Sequence, residues 1–209
     1  MTRVSFSLTH FMYEDSNPFL GKVMSIVSLA PIFVIVMYCS EILLHREIET
    51  CFLLIGQLIN LFINIFLKLI CDMPRPDTAL QHNNGMPSDH MQFMCFFAVY
   101  MTFFLLKRCK FIHRWMQYVA VLFIYVLTII IFFSRLYLGE HFLDQLIVGS
   151  ILGLINGSIW YYLNYHYFVH WYSTICSTKL FTLFQFKDYS NIPDVLTFEY
   201  DNCKKQKKN

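Results

Sequence analysis

Residues 115–145 read WMQYVAVLFIYVLTIIIFFSRLYLGEHFLDQ. The nineteen residues Trp115–Phe133 carry no charge, close to the roughly 20 apolar residues with which a helix crosses a bilayer core. Arg135 and His141 then follow within eight residues. Ionisable groups set so near a membrane core are costly and usually functional. Further charge-free cores run Val23–Cys39, Cys51–Leu67, Met91–Leu106 and Leu146–Leu163. The chain is therefore expected to be an all-α polytopic transmembrane helix bundle of about five spans, near 23–44, 51–71, 90–106, 115–135 and 142–163. Residues 23–165 form the membrane domain. Pro31 is expected to kink the first span, a defect that neighbouring helices compensate.

Composition agrees. Of 209 residues, 56% are hydrophobic and only 14% charged, against about 25% charged in soluble domains, which excludes a soluble globule. Net charge is +2 with the cations in short stretches, so there is no broad basic face and no nucleic-acid partner is expected. The seven cysteines form no CxxC or disulfide framework. Cys39, Cys51, Cys71 and Cys95 lie in or beside apolar runs and read as small hydrophobes. The first nineteen residues are too polar for a cleavable signal peptide, so the first span serves for insertion.

With five alternating spans, Arg46, Lys107, Arg108, Lys110, Arg114 and the lysines from Lys179 onward share one side. Arg3, Lys22, Lys68, Arg75 and Arg135 lie on the other. The positive-inside rule puts the first group in the cytosol, with segment 1–22 and the second group lumenal. Segment 166–209 is expected to hold an interfacial helix near 166–186 and a cytosolic basic tail. Lys205 and Lys207 look like a dilysine retrieval signal of the endoplasmic reticulum; the alternative is a solvated tail near acidic lipid. The sequon Asn156-Gly157-Ser158 lies inside a span and should be unmodified.

Three polar stretches meet on the lumenal side. In the first, Lys68 precedes Arg75, which Pro74 and Pro76 hold on an extended backbone. In the second, Gly85-Met86-Pro87-Ser88-Asp89-His90, Ser88 reads as a helix N-cap, and helix N-termini favour anions. The third carries Arg135 and His141. Singly, Lys68 could snorkel and Ser88 with Asp89 could be an ordinary cap. Together, three fixed cations and two histidines at helix ends imply a multiply charged anion. His141, Gln145, Gly149, Gly153 and Gly157 follow one helical stripe whose glycines allow close packing. His141 thus points inward, with either Asp144 or Gln145 able to accept from its ring.

These stretches resemble the signature of the type 2 phosphatidic-acid phosphatase superfamily: Lys68 to Arg75-Pro76, then Pro87-Ser88-Asp89-His90, then Ser134-Arg135 to His141. Ser28–Val36, Gly85–Met94 with Phe96-Phe97, and Asn191–Tyr200 resemble its dolichyldiphosphatase branch over nearly the whole chain. The resemblance implies the helix-bundle fold shared with vanadium haloperoxidases, and hydrolysis of dolichyl diphosphate with no metal or cofactor. His141 would be the nucleophile forming a phosphohistidine, and His90 the acid and then base. Lys68, Arg75, Ser88 and Arg135 would hold phosphate oxygens. Two departures stand out. Asp89 replaces a usual glycine and would repel phosphate unless it turns away. Gln145 replaces a usual aspartate, leaving Gln145 or Asp144 to orient His141. Other readings are a phosphatase for phosphatidate, a sphingoid or sugar phosphate or another polyprenyl phosphate, and a non-catalytic membrane relative.

Overall fold

The computed structural model describes residues 3–5, 12–14, 17–80, 83–109, 113–192 and 194–206. Lys110, Pro193 and the dilysine-like Lys207 lie outside the described residues, as do ten of the first sixteen positions, in segment 1–22. A short antiparallel hairpin, β1 (Arg3–Ser5) with β2 (Met12–Glu14), precedes the bundle. Among the described residues every other element is helical, as the expected helix bundle requires. Among the described residues, five segments are long and apolar enough to cross a membrane: Pro18–Leu44, Ile48–Cys71, Asp89–Arg108, Arg114–Tyr137 and Leu143–Cys176.

The first span is two helices, α1 (Pro18–Val27) and α2 (Ala30–Leu44), broken at Ser28 and Leu29. Pro31 lies in the first turn of α2, where its missing N–H costs least. Next come α3 (Ile48–Cys71), α4 (Asp89–Arg108), α5 (Arg114–Tyr137) and α6 (Leu143–Leu163). The fifth span continues beyond α6 through a π-helical turn, Asn164–Phe168, into α7 (Val169–Cys176). Residues 166–176 therefore continue the helix that begins with α6 and do not start a separate element. Asn164 explains the continuation. Its amide donates to the Tyr100 hydroxyl at 2.7 Å, and its carbonyl accepts from the Tyr172 hydroxyl at 2.5 Å, which satisfies a polar group at the widened turn. Two short helices follow, α8 (Lys179–Leu183) and α9 (Val195–Gln206).

The central helix is α4, which packs against α6, α5 and α3. It is apolar on most sides, and Met91, Gln92 and every residue from Met94 to Tyr100 are buried, as expected of a helix surrounded by others. Close approach to α6 depends on glycine. A Cβ on Gly149 would lie 2.7 Å from the Ser88 carbonyl oxygen, and one on Gly157 2.8 Å from that of Phe96. Side-chain amides tie α3, α4 and α6: Asn64 donates to Gln92 at 2.7 Å, and Gln92 and Asn156 each donate to Asn60 at 2.9 Å. Phe62, Phe66, Leu122 and Phe123 project outward. Polar groups inside and large hydrophobes outside are the arrangement for hydrocarbon surroundings. An apolar cleft of about 590 Å³ lies between the first span, α4 and α5, lined by Val27, Ala30, Phe33, Phe97, Ile124 and Leu127 among others.

The C-terminus of α3, the N-terminus of α4, the C-terminus of α5 and the N-terminus of α6 meet at one end of the bundle. At the other end Arg108 donates to the carbonyls of Tyr189 at 2.8 Å and Ser190 at 2.9 Å, anchoring the C-terminal segment.

The glycine contacts define a test. Gly149→Val forces a side chain into the Ser88 backbone and is expected to cost about 1–3 kcal/mol, the range for overpacking, read as a lowered unfolding midpoint in detergent. An unchanged midpoint would mean α4 and α6 are not in backbone contact.

Candidate active site

Lys68 lies on the last turn of α3, which ends at Asp72 in the left-handed conformation, φ 43°. Asn84 donates to the Lys68 carbonyl at 2.9 Å, capping that end. The chain then runs extended through Pro74, Arg75 and Pro76 and returns at Gly85, whose amide donates to the Met73 carbonyl at 2.7 Å. Gly85 has no room for a side chain: a Cβ would lie 2.6 Å from Gln145 Oε1 and 2.8 Å from Arg75 Cγ. The loop thus presses Arg75 against the start of α6.

Ser88 does precede the first turn of α4, but its hydroxyl makes no cap hydrogen bond. The Oγ is buried and without a partner, while the Ser88 amide donates to the Gln145 carbonyl at 3.1 Å. An ordinary cap therefore does not account for this serine. Two residues on, His90 is half-buried in the first turn of α4, its ring near the Ser28 backbone and within electrostatic range of Arg135, His141 and Arg75. Ser28 Oγ is 2.8 Å from Ser134 Oγ, and Ser134 donates to the Met24 carbonyl at 2.7 Å, tying the break in the first span to the end of α5.

After α5 the chain turns at Gly139, φ 66°, a conformation that favours glycine, and delivers His141 to the pocket. His141 is buried, with Nδ1 3.0 Å from Gln145 Oε1 and Nε2 3.1 Å from Arg75 Nη1. The amide of Gln145 is oriented by two other bonds. Its Oε1 accepts from the Phe142 amide at 3.3 Å, and its Nε2 donates to the Pro74 carbonyl at 2.8 Å. The Oε1 facing the ring is therefore an acceptor, so Nδ1 carries the proton. Arg75 can only donate, so Nε2 offers a lone pair. Both neighbours demand the same tautomer.

Asp144 is exposed and accepts from the Gln145 amide at 2.9 Å. It lies in the first turn of α6, and the partner of the ring is Gln145. Asp89 does not turn away from the cations. One carboxylate oxygen pairs with Lys68 Nζ, and the other is 3.8 Å from Arg75 Nη2.

Glu140 is a site residue that sequence reasoning missed. It is 2% exposed, with Oε1 accepting from the Leu80 amide at 3.1 Å and Oε2 3.5 Å from Arg135 Nη2 and 3.8 Å from Arg75 Nη1. It therefore holds two arginines together. The available signal was its position, next to the histidine in a segment already rich in ionisable groups.

Residues 49–169 match the family profile described as the PAP2 superfamily. The chain belongs to the PAP2 superfamily. Among PAP2 relatives, lipid phosphate phosphatase gamma of Arabidopsis thaliana is 35% identical, covering 97% of this chain and 92% of that protein. Dolichyldiphosphatase 1 of Dictyostelium discoideum is 33% identical over 97% of this chain and 89% of its own. Dolichyldiphosphatase of Saccharomyces cerevisiae is 33% identical over 77% and 70%. No solved structure matches.

Burial, with Arg75 and Arg135 beside it, pushes the His141 imidazole from an ordinary 6.5 down to about 3. The unfolded chain takes up a proton below 6.5 that the folded one refuses until about 3. The contribution to stability is thus complete above the upper value and is lost as pH falls through that window. His141→Asn is expected to flatten the acid-side decline of the unfolding midpoint. Parallel pH profiles for wild type and variant would remove the depressed imidazole.

Proposed function

We propose that this PAP2 protein hydrolyses dolichyl diphosphate to dolichyl phosphate and inorganic phosphate through a phosphohistidine. The observation that carries the reading is the His141 imidazole, held neutral with its Nε2 lone pair facing into a pocket of three cations. Two relatives named dolichyldiphosphatase, aligned over most of the chain, supply the substrate.

Nε2 attacks the terminal phosphorus, and the bond to the bridging oxygen breaks. His90 gives that oxygen a proton as dolichyl phosphate departs. Arg75 exchanges its contact with Nε2 for one with a phosphate oxygen, while Lys68 and Arg135 take the others. The orphaned Ser88 hydroxyl is a further donor, and together these groups stabilise the transition state. The imidazolium of the intermediate keeps its Nδ1–H on Gln145. His90 then removes a proton from water, which attacks phosphorus, breaks the N–P bond and frees phosphate.

A lipid substrate suits the location. The headgroup needs only a pocket at the helix ends, and the apolar cleft begins within one turn of Ser28 beside His90. Cation placement supports a lumenal site and a cytosolic C-terminal segment in the endoplasmic reticulum membrane. There, hydrolysis recycles the lipid carrier of protein N-glycosylation. The Arabidopsis relative favours a second reading, a phosphatase of broader lipid phosphates.

Phosphate release from dolichyl diphosphate, phosphatidate and a sphingoid phosphate by detergent-purified protein separates the two. Dolichyl diphosphate is expected to be the preferred substrate. His141→Ala should abolish turnover, and His90→Ala should slow it by roughly 10²–10⁴. Full activity of His141→Ala would remove the nucleophile; preference for phosphatidate would favour the second reading.

A further inference from the structure

The pocket holds two carboxylates, and they are held differently. Glu140 is 2% exposed and bonded to the Leu80 amide as well as lying beside two arginines, so it is built into the wall. Asp89 heads α4 with its side chain 37% exposed, and its two oxygens are divided between Lys68 and Arg75. An acidic residue in a helix first turn is unremarkable for the dipole. One that spans two cations at the mouth of an otherwise cationic pocket has a further effect. Its paired oxygens mimic one edge of a phosphate and, with Glu140, offset the cost of burying these cations.

We propose that Asp89 is a resident counter-ion in the phosphate seat: it occupies Lys68 and Arg75 at rest, is displaced by the incoming phosphoryl group, and returns to expel inorganic phosphate. This rests on the phosphatase reading of the same pocket. The exposed side makes the exchange possible, because Asp89 can rotate into water while Glu140 cannot. Apparent affinity for any oxyanion is then reduced by the fraction of molecules with the seat open. Asp89 acts here as an affinity-setting and product-releasing residue, while bond making remains with the histidines.

The test uses full-length protein in detergent with Asp89→Asn, and Asp89→Ser as a second variant should the first fail to unfold cooperatively. Binding of inorganic phosphate and orthovanadate is read twice: as inhibition of dolichyl diphosphate hydrolysis, and as stabilisation against thermal unfolding, which needs no turnover. Loss of the resident carboxylate is expected to tighten both oxyanions by about tenfold, the effect of a seat open roughly a tenth of the time. KM should fall, and kcat should fall with it as phosphate release slows. The gain should shrink in a Lys68→Gln background, because the displacement works through that amine. Unchanged or weaker oxyanion binding in the Asp89 variants would overturn the proposal and leave Asp89 as a holder of Lys68. If wild type hydrolyses no lipid phosphate, the phosphatase reading fails, and the unfolding measurement still decides whether Asp89 competes for the seat.

Discussion

The site depends on one short chain of hydrogen bonds, from the Pro74 carbonyl through the Gln145 amide and the His141 ring to Arg75. Each bond leaves the next group a single role. Pro74 accepts, so the Gln145 nitrogen faces it and the oxygen faces His141; the ring proton then belongs on Nδ1 and the lone pair on Nε2. A glutamine can do this without adding a third carboxylate. An aspartate would stabilise the imidazolium more strongly, but here the neutral ring is favoured by burial and the arginines. In the proposed mechanism this prepares the nucleophile before substrate arrives and removes reorganisation from the reaction itself.

Membrane surroundings explain why this chain lies at helix ends. Within hydrocarbon, backbone groups must be satisfied internally, so irregular backbone is confined to the ends of spans, where Met73–Pro76 and Leu138–His141 supply Arg75 and His141. The same constraint governs charge. Lys68, Arg75 and Arg135 are offset in part by Asp89 and Glu140, leaving a pocket that favours an anion without five unpaired charges. The close α4–α6 contact, made possible by glycine, brings Ser88 to Gln145 and so joins the first turn of α4 to the start of α6, beside His141.

Spans were legible because charge-free runs of crossing length have few alternatives, and the convergence of Lys68, Arg75, His90, Arg135 and His141 followed from their places at span ends. Finer choices required side-chain geometry. Asp144 and Gln145 were both in reach of His141 by helix spacing, and the decision came from the Phe142 amide and the Pro74 carbonyl, one of them 71 residues away in sequence. Glu140 was overlooked because its partners, the Leu80 amide and Arg75, come from a loop that adjacency does not reveal. The continuation beyond Leu163 was hidden by its polar composition, since Asn164 is satisfied only by tyrosines of α4 and α7.

The most direct measurement of the central claim is an experimental structure with orthovanadate, which reproduces the in-line geometry of phosphoryl transfer. The expected result is vanadium bonded to His141 Nε2, equatorial oxygens on Lys68, Arg75 and Arg135, and His90 facing the opposite apical oxygen. Vanadium bonded to His90, or seated away from both imidazoles, would contradict it.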